Sequence, residues 1–240
     1  MKLGPHLHRI GNDIVAAYLV ETSEGITVID AGLPGHWKEL LAELDVMGRS
    51  LADIRGVVLT HGDSDHLGFA ERLRREHGIP VYVHGADADR ARGGKKPKLS
   101  MGPSRLRPVV GFLLYSLGKR GWRTNWVTEV TEVADGETLP LPGAPRVIAM
   151  PGHSPGSIAV HVPAANAVFV GDALTTRSVL TGTIGLQPAP FTDEPSKALE
   201  SLGRLDGVDA VWVLPGHGAP WRGDPASVQD AVRAAAAGNP

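Results

Sequence analysis

A chain of 240 residues with 42% hydrophobic and 21% charged side chains has the size and balance of one well-cored globular domain, and nothing in it reads as disorder. The formal net charge of -2 shows no overall basic excess, which argues against nucleic acid as a partner and confines any basic surface to a local patch. With no cysteine, disulfides, thiolate nucleophiles, zinc fingers and iron–sulfur ligation are excluded, so any metal must sit on histidine and carboxylate.

The first twenty residues lack the continuous apolar core of a signal peptide, and no run reaches the roughly 18 apolar residues needed to cross a bilayer. The expectation is a soluble, cytoplasmic protein. Apolar, β-branched runs predict strands at roughly 14–20, 26–30, 55–60, 80–84, 145–150, 157–162, 167–171 and 209–214. Between them, Gly35 to Met47 places Trp37, Leu40, Leu41, Leu44 and Met47 at helical spacing, and Leu67 to His77 follows the same pattern. Glu194 to Leu205, with Pro195 in its early turn, and Ala226 to Ala237 also read as helices. The Pro-Ala-Ala-Asn turn at 163–166 joins two strands as a hairpin. This order predicts one α/β or layered sandwich domain over 1–240, with 90–128 as an insertion.

Several strands stop abruptly at polar clusters. After the run ending at Thr60 comes His61-Gly62-Asp63-Ser64-Asp65-His66, in which alternate side chains of an extended loop share one side. Taken alone, this stretch also fits a polar turn whose Asp and Ser cap the next helix. Three further clusters argue against that: His153 in Gly-His-Ser-Pro-Gly-Ser, Asp172 after Gly171, and His217 in Pro-Gly-His-Gly. Each puts one metal-binding residue type at a strand end, among glycines and prolines that let the backbone turn tightly.

These motifs, with Asp30-Ala31-Gly32 before them, resemble the metallo-β-lactamase superfamily over most of the chain. The resemblance implies a four-layer αββα sandwich, two face-to-face sheets with helices outside. It also implies one metal on His61, Asp63 and His153, a second on Asp65, His66 and His217, and Asp172 bridging the two. Asp30 would hold ligand loops by hydrogen bonds, a role that a simple turn-former before Gly32 rivals. The commonest family motif has His where this chain has Asp63, a hard oxygen donor that favours manganese or iron relative to zinc. Zinc accepts carboxylate too, so the expected cofactor is two divalent ions, zinc first, with manganese or iron as alternatives and a single metal as a further outcome.

Absence of cysteine and the Asp at 172 resemble the glyoxalase II, lactonase and thioesterase branches. Two close cations acidify a shared water, so the expected reaction is attack by metal-bound hydroxide on an ester, thioester, lactone or similar acyl bond of a small molecule. Asp65 would double as proton acceptor, while Ser154 and Ser157 read as loop hydrogen-bonders rather than nucleophiles. Substrate choice falls to the insertion. It holds ten of the 24 basic residues, Arg90, Lys95, Lys96 and Lys98 among them, with no Asp or Glu, around the apolar run 109–117 and then Trp122 and Trp126. Such a segment fits a lid over an anionic, partly apolar acyl or carrier-linked substrate, a membrane-surface contact, a homo-dimer interface or a plain solvated loop. Tyr115 and His84 are candidate substrate contacts. A diiron redox protein, a nucleic-acid-processing enzyme and a metal-stabilised binding protein without turnover are the alternatives.

Overall fold

Residues 1–94, 96 and 102–237 are described by the structure, a computed structural model. The chain opens with an antiparallel meander of β1 (Lys2–Gly4), β2 (Leu7–Gly11), β3 (Ala16–Thr22) and β4 (Gly25–Ile29). Helix α1 (Trp37–Val46) leads to β5 (Ile54–Val58). Helices α2 (Ser64–Leu67) and α3 (Ala70–His77) lead to β6 (Val81–His84), and α4 (Ala88–Ala91) and α5 (Leu106–Gly118) precede β7 (Thr131–Val133). These helical crossovers make β4 through β7 parallel, and the seven strands form one sheet in chain order.

The second half supplies β8 (Arg146–Ala149), β9 (Ile158–Val162) and β10 (Ala167–Gly171), then a separate ribbon of β11 (Thr175–Arg177) and β12 (Ile184–Gln187). Helix α6 (Pro195–Ser201), β13 (Trp212–Pro215), β14 (Trp221–Arg222) and helix α7 (Pro225–Ala237) complete it. The second sheet runs β14-β13-β10-β9-β8.

Strand alternation explains why these elements stack as four layers. On β3, Tyr18 and Val20 enter the core between the sheets while Ala17 and Leu19 turn outward to Leu40, Leu44 and Leu73 of α1 and α3. On β10, Ala167 and Phe169 enter the same central core, while Val168 and Val170 meet a third cluster with Leu202, Val228 and Val232. The result is the expected αββα sandwich.

At one edge the sheets are bonded to each other. Ala16 N–H donates to the Gly216 carbonyl (2.9 Å), Tyr18 Oη to the Pro215 carbonyl (2.7 Å), and Ile158 N–H to the Thr60 carbonyl (2.9 Å). Gly171 has φ +50°, and a Cβ there would lie 2.3 Å from Thr60 Oγ1, so close approach of the two sheets requires glycine. The polar loops gather at this edge.

Most expected elements are present, but the helix over Leu67 to His77 is broken. Gly68 N–H bonds the Gly32 carbonyl (2.8 Å), and α2 and α3 are separate helices on either side. Six short strands were not predicted. Among them, β2 carries His8 and Arg9, whose polar character hides a strand that is nonetheless buried.

Candidate metal centre

The loop after β5 carries His61, Asp63, Asp65 and His66; His153 lies between β8 and β9, Asp172 follows β10, and His217 follows β13. The four histidines are buried, and their rings pack together, with centroids 4.0 Å apart for His61 and His66 and 4.8 Å for His61 and His153. Burying so many polar rings together is costly unless each nitrogen finds a partner.

On the outer side each does. His66 Nδ1 lies 2.9 Å from Asp30 Oδ2, His61 Nδ1 3.1 Å from Thr60 Oγ1, and His153 Nδ1 3.2 Å from Thr192 Oγ1, while His217 Nδ1 meets the Ile14 carbonyl. Thr60 and Thr192 donate their own protons to Asp30 (2.9 Å) and the Ala189 carbonyl (2.8 Å), so their oxygens are free to accept from the rings. Every imidazole therefore has an acceptor that favours the proton on Nδ1 and turns the Nε2 lone pair inward. There, Nε2 of His61, His66 and His153 and Oδ1 of Asp172 are buried without any hydrogen-bond partner among the described residues.

These inward atoms form three overlapping groups, His61–Asp63–His153, Asp65–His66–His217 and His61–His66–Asp172, each with its atoms within 4.8 Å of one another. Asp172 stands between the first two groups: its Oδ2 is 3.7 Å from His153 Nε2 and 3.2 Å from His217 Nε2, and its Oδ1 is 3.6 Å from His66 Nε2. Asp65 Oδ2 lies 3.3 Å from His217 Nε2.

The electrostatics favour a cation. Burial opposes charge on His66, but the Asp30 and Asp172 carboxylates outweigh it and push its pKa up to about 9. His217 is raised well above its ordinary value, burial being overcome by Asp172 and Asp65. Burial and the neighbouring His66 and His153 hold His61 well below its ordinary value. Burial is likewise overcome at the carboxylates: His217 and His66 hold Asp65 down at about 2 and Asp172 far below the usual range. A metal ion would compete with protons for the same inward lone pairs.

Asp63 occupies the N-cap position of α2 but makes no capping bond, which removes the simple polar-turn explanation of this stretch. Its Oδ2 is 3.9 Å from His61 Nε2 and 3.7 Å from His153 Nε2. Arg90 grips the same carboxylate, with Nη2 3.0 Å from Oδ2 and Nε on Oδ1, and Lys96 Nζ lies 2.5 Å from Oδ1. Burial opposes ionisation of Asp63, but His153, His61, Arg90 and Lys96 reverse this and hold it far below the usual carboxylate range.

Asp87, in the turn before α4, organises the loops from behind. It is fully buried and accepts from Gly62 N–H (2.8 Å), Gly156 N–H (2.7 Å) and Ser154 Oγ (2.7 Å), tying the His61 loop to the His153 loop. Ser157 Oγ accepts from Ser154 N–H at 2.9 Å, so both serines serve loop geometry.

A cleft of about 400 Å³ opens beside Asp63 and Asp65, walled by Leu33, Phe112, Leu113, Leu117 and Trp122, with Lys96 and Phe191 also on it. Three of these wall residues belong to α5. Tyr115, on the same helix, is not among the lining residues; its hydroxyl lies 2.7 Å from His36 Nε2, and His36 Nδ1 accepts from Leu33 N–H (2.9 Å). His84 Nδ1 accepts from Ala86 N–H at 3.2 Å, in the turn after β6, and is also absent from the cleft lining.

The segment 90–128 is less of a free basic surface than its composition suggests. Arg90 and Lys96 meet Asp63, Arg92 meets Glu132 at 3.6 Å, and Lys119 meets Glu39, while Lys95 and Lys98 lie outside the described residues. Sequence reasoning missed Asp87, Thr192 and Asp193, and it saw Arg90 only as one charge among ten. Asp87 and Asp193 belong to no recognisable motif, so only the fold reveals them.

With this geometry in view, comparison with known proteins gives a consistent picture. The family model described as the metallo-beta-lactamase superfamily matches residues 10–217. The probable metallo-hydrolase YflN of Bacillus subtilis is 26% identical over 234 residues, covering 90% of this chain and 85% of that protein. Among solved structures, the metallo-beta-lactamase family protein TTHA1429 of Thermus thermophilus has a TM-score of 0.69 at 23% identity, covering 95% of this chain and 78% of that one. The protein TTHA1623, solved in a di-iron-bound form, has a TM-score of 0.58 at 28% identity, covering 92% and 93%.

Proposed function

Because the chain belongs to the metallo-beta-lactamase superfamily, we propose that it is a metal-dependent hydrolase of small acyl compounds, cleaving an ester, thioester, lactone or related bond. In this reading His61, Asp63 and His153 hold one divalent ion, Asp65, His66 and His217 hold the other, and Asp172 is shared. One observation carries it: buried imidazole lone pairs and a carboxylate oxygen face one another with no hydrogen-bond partner among the described residues, and behind them every ring is held by its own acceptor.

Two ions so held would acidify a water and polarise a carbonyl. The chain's own groups supply the rest. Asp30, Thr60, Thr192 and the Ile14 carbonyl keep the rings oriented, and Asp65, ionised and on the cleft, accepts the proton released by the attacking water. The apolar wall from α5 takes a hydrophobic acyl portion. The insertion thereby acts as a lid.

Zinc suits the mixed imidazole and carboxylate donors; the carboxylate at 63 and the di-iron form of a relative support iron as the second choice. The test is a screen of p-nitrophenyl esters, acyl thioesters and lactones with the zinc, manganese and iron proteins. Turnover that stops with a chelator and falls at least 100-fold in Asp65→Asn and His153→Ala is expected. Turnover surviving either substitution would refute the assignment.

A further inference from the structure

Asp63 is part of a buried chain of charges, Asp63–Arg90–Asp193, that no metal-binding motif contains. Arg90 is 6% exposed, and while Nε and Nη2 grip Asp63, its Nη1 lies 2.7 Å from Asp193 Oδ2. Asp193 N–H in turn bonds the His153 carbonyl (3.1 Å), and the preceding residue, Thr192, supports His153 Nδ1. One guanidinium therefore spans the supports of two members of the His61–Asp63–His153 group. The backbone is built for it: a Cβ on Gly62 would lie 2.9 Å from Arg90 Cβ and 2.8 Å from the Ala91 nitrogen.

We infer that Arg90, assisted by Lys96 on Oδ1, offsets the charge of Asp63 and so loosens the hold of the His61–Asp63–His153 group on a cation. This rests on the metal-binding reading above. A third carboxylate beside Asp65 and Asp172 would make the centre more negative than one built with histidine at 63. A guanidinium offers a rigid planar fork that matches a carboxylate edge, which a lysine does not. With Arg90 in place, the side chain at 63 contributes an oxygen donor whose charge is already offset. An ion bound there is held less tightly than by a bare carboxylate and keeps more of its positive character for a substrate carbonyl.

The test is a zinc titration against a chromophoric chelator, with thermal unfolding of the same samples in chelator and in zinc. Wild type, Arg90→Gln, Arg90→Lys, Asp63→His and the double variant Asp63→His/Arg90→Gln are compared. Removing the charge in Arg90→Gln should tighten binding of the weaker ion at least tenfold and enlarge the rise in Tm that zinc produces. Loss of the Asp193 contact is common to samples with and without zinc and drops out of that difference. Arg90→Lys, which keeps the charge but not the forked contact, should bind the weaker ion more tightly than wild type and less tightly than Arg90→Gln. Asp63→His leaves a buried guanidinium facing an imidazole and should lose the weaker ion, which the double variant should regain. Equal zinc affinity in wild type and Arg90→Gln, or no recovery in the double variant, would overturn the inference while leaving the metal reading intact. Wild-type protein that binds no zinc, manganese or ferrous iron would overturn both.

Discussion

Replacing Asp87 by alanine probes how the centre is assembled without touching any candidate ligand. The carboxylate accepts three hydrogen bonds, from Gly62 N–H, Gly156 N–H and Ser154 Oγ, at 2.7–2.8 Å in a fully buried setting. Hydrogen bonds to a charged acceptor contribute about 1.5–3 kcal/mol each, so losing three sums to about 4.5–9 kcal/mol. Water entering the space left by the carboxylate offsets part of this, leaving an expected loss of about 3–5 kcal/mol. Asp87→Asn retains one acceptor oxygen but turns an N–H₂ toward the remaining donors, so it should cost about 2–3 kcal/mol. Urea unfolding in chelator and in saturating zinc measures both variants. The second expectation is specific to the site: because Asp87 ties the His61 loop to the His153 loop, zinc should bind the His61–Asp63–His153 group more weakly, by tenfold or more, in Asp87→Ala. A stability loss below about 1 kcal/mol, or unchanged zinc affinity despite a large loss, would show that Asp87 does not couple the two loops.

Three other outcomes follow from the same structure. His66 is raised to about 9, so below that pH a proton occupies a ring that a cation must take over; zinc affinity should climb from pH 6 to 9, with proton release seen by calorimetry in buffers of different ionisation enthalpy. Buried His36 is lowered to about 4 by burial, with Glu39 opposing and Lys119 adding, so the unfolded chain takes the proton first as pH falls. Its contribution to stability is present above about 6.5 and lost as pH falls toward 4, and His36→Gln should flatten the wild-type decline in urea midpoint across that window. Gly68→Ala would place a Cβ 2.2 Å from the Leu33 carbonyl carbon, so it should destabilise the fold by more than about 3 kcal/mol in the same assay.

The ligand candidates were legible because a carboxylate or imidazole at a strand end, flanked by Gly or Pro, is a local pattern. His61, His153, Asp172 and His217 each follow a strand that a run of apolar, β-branched residues reveals. The sandwich was legible in part: the order of strands and helices gave a layered α/β domain and the family resemblance implied four layers, while the facing of Ala17 and Leu19 against Tyr18 and Val20 is what the structure adds. What stayed hidden depends on contacts between distant segments. Asp87 belongs to no motif, and the groups that donate to it lie 25 to 69 positions away. Arg90 looked like part of a solvated basic run because its two carboxylate partners are 27 and 103 residues distant. Tyr115 shows the converse, since the apolar run 109–117 made it a candidate substrate contact but could not say that its hydroxyl turns to His36. The α2–α3 break at Gly68 was equally invisible, because the backbone of residues 32 and 33 fills the space that a continuous helix would need.

The central claim is that the inward-facing atoms hold two metal ions. Plasma mass spectrometry on protein expressed with balanced zinc, manganese and iron tests it most directly, alongside His153→Ala and Asp172→Asn. The account predicts about two ions per chain in the wild type, close to one in His153→Ala, and fewer than two in Asp172→Asn, where the shared ligand loses its charge. Well under one ion per chain in the folded wild-type protein, or two ions in every variant, would contradict it.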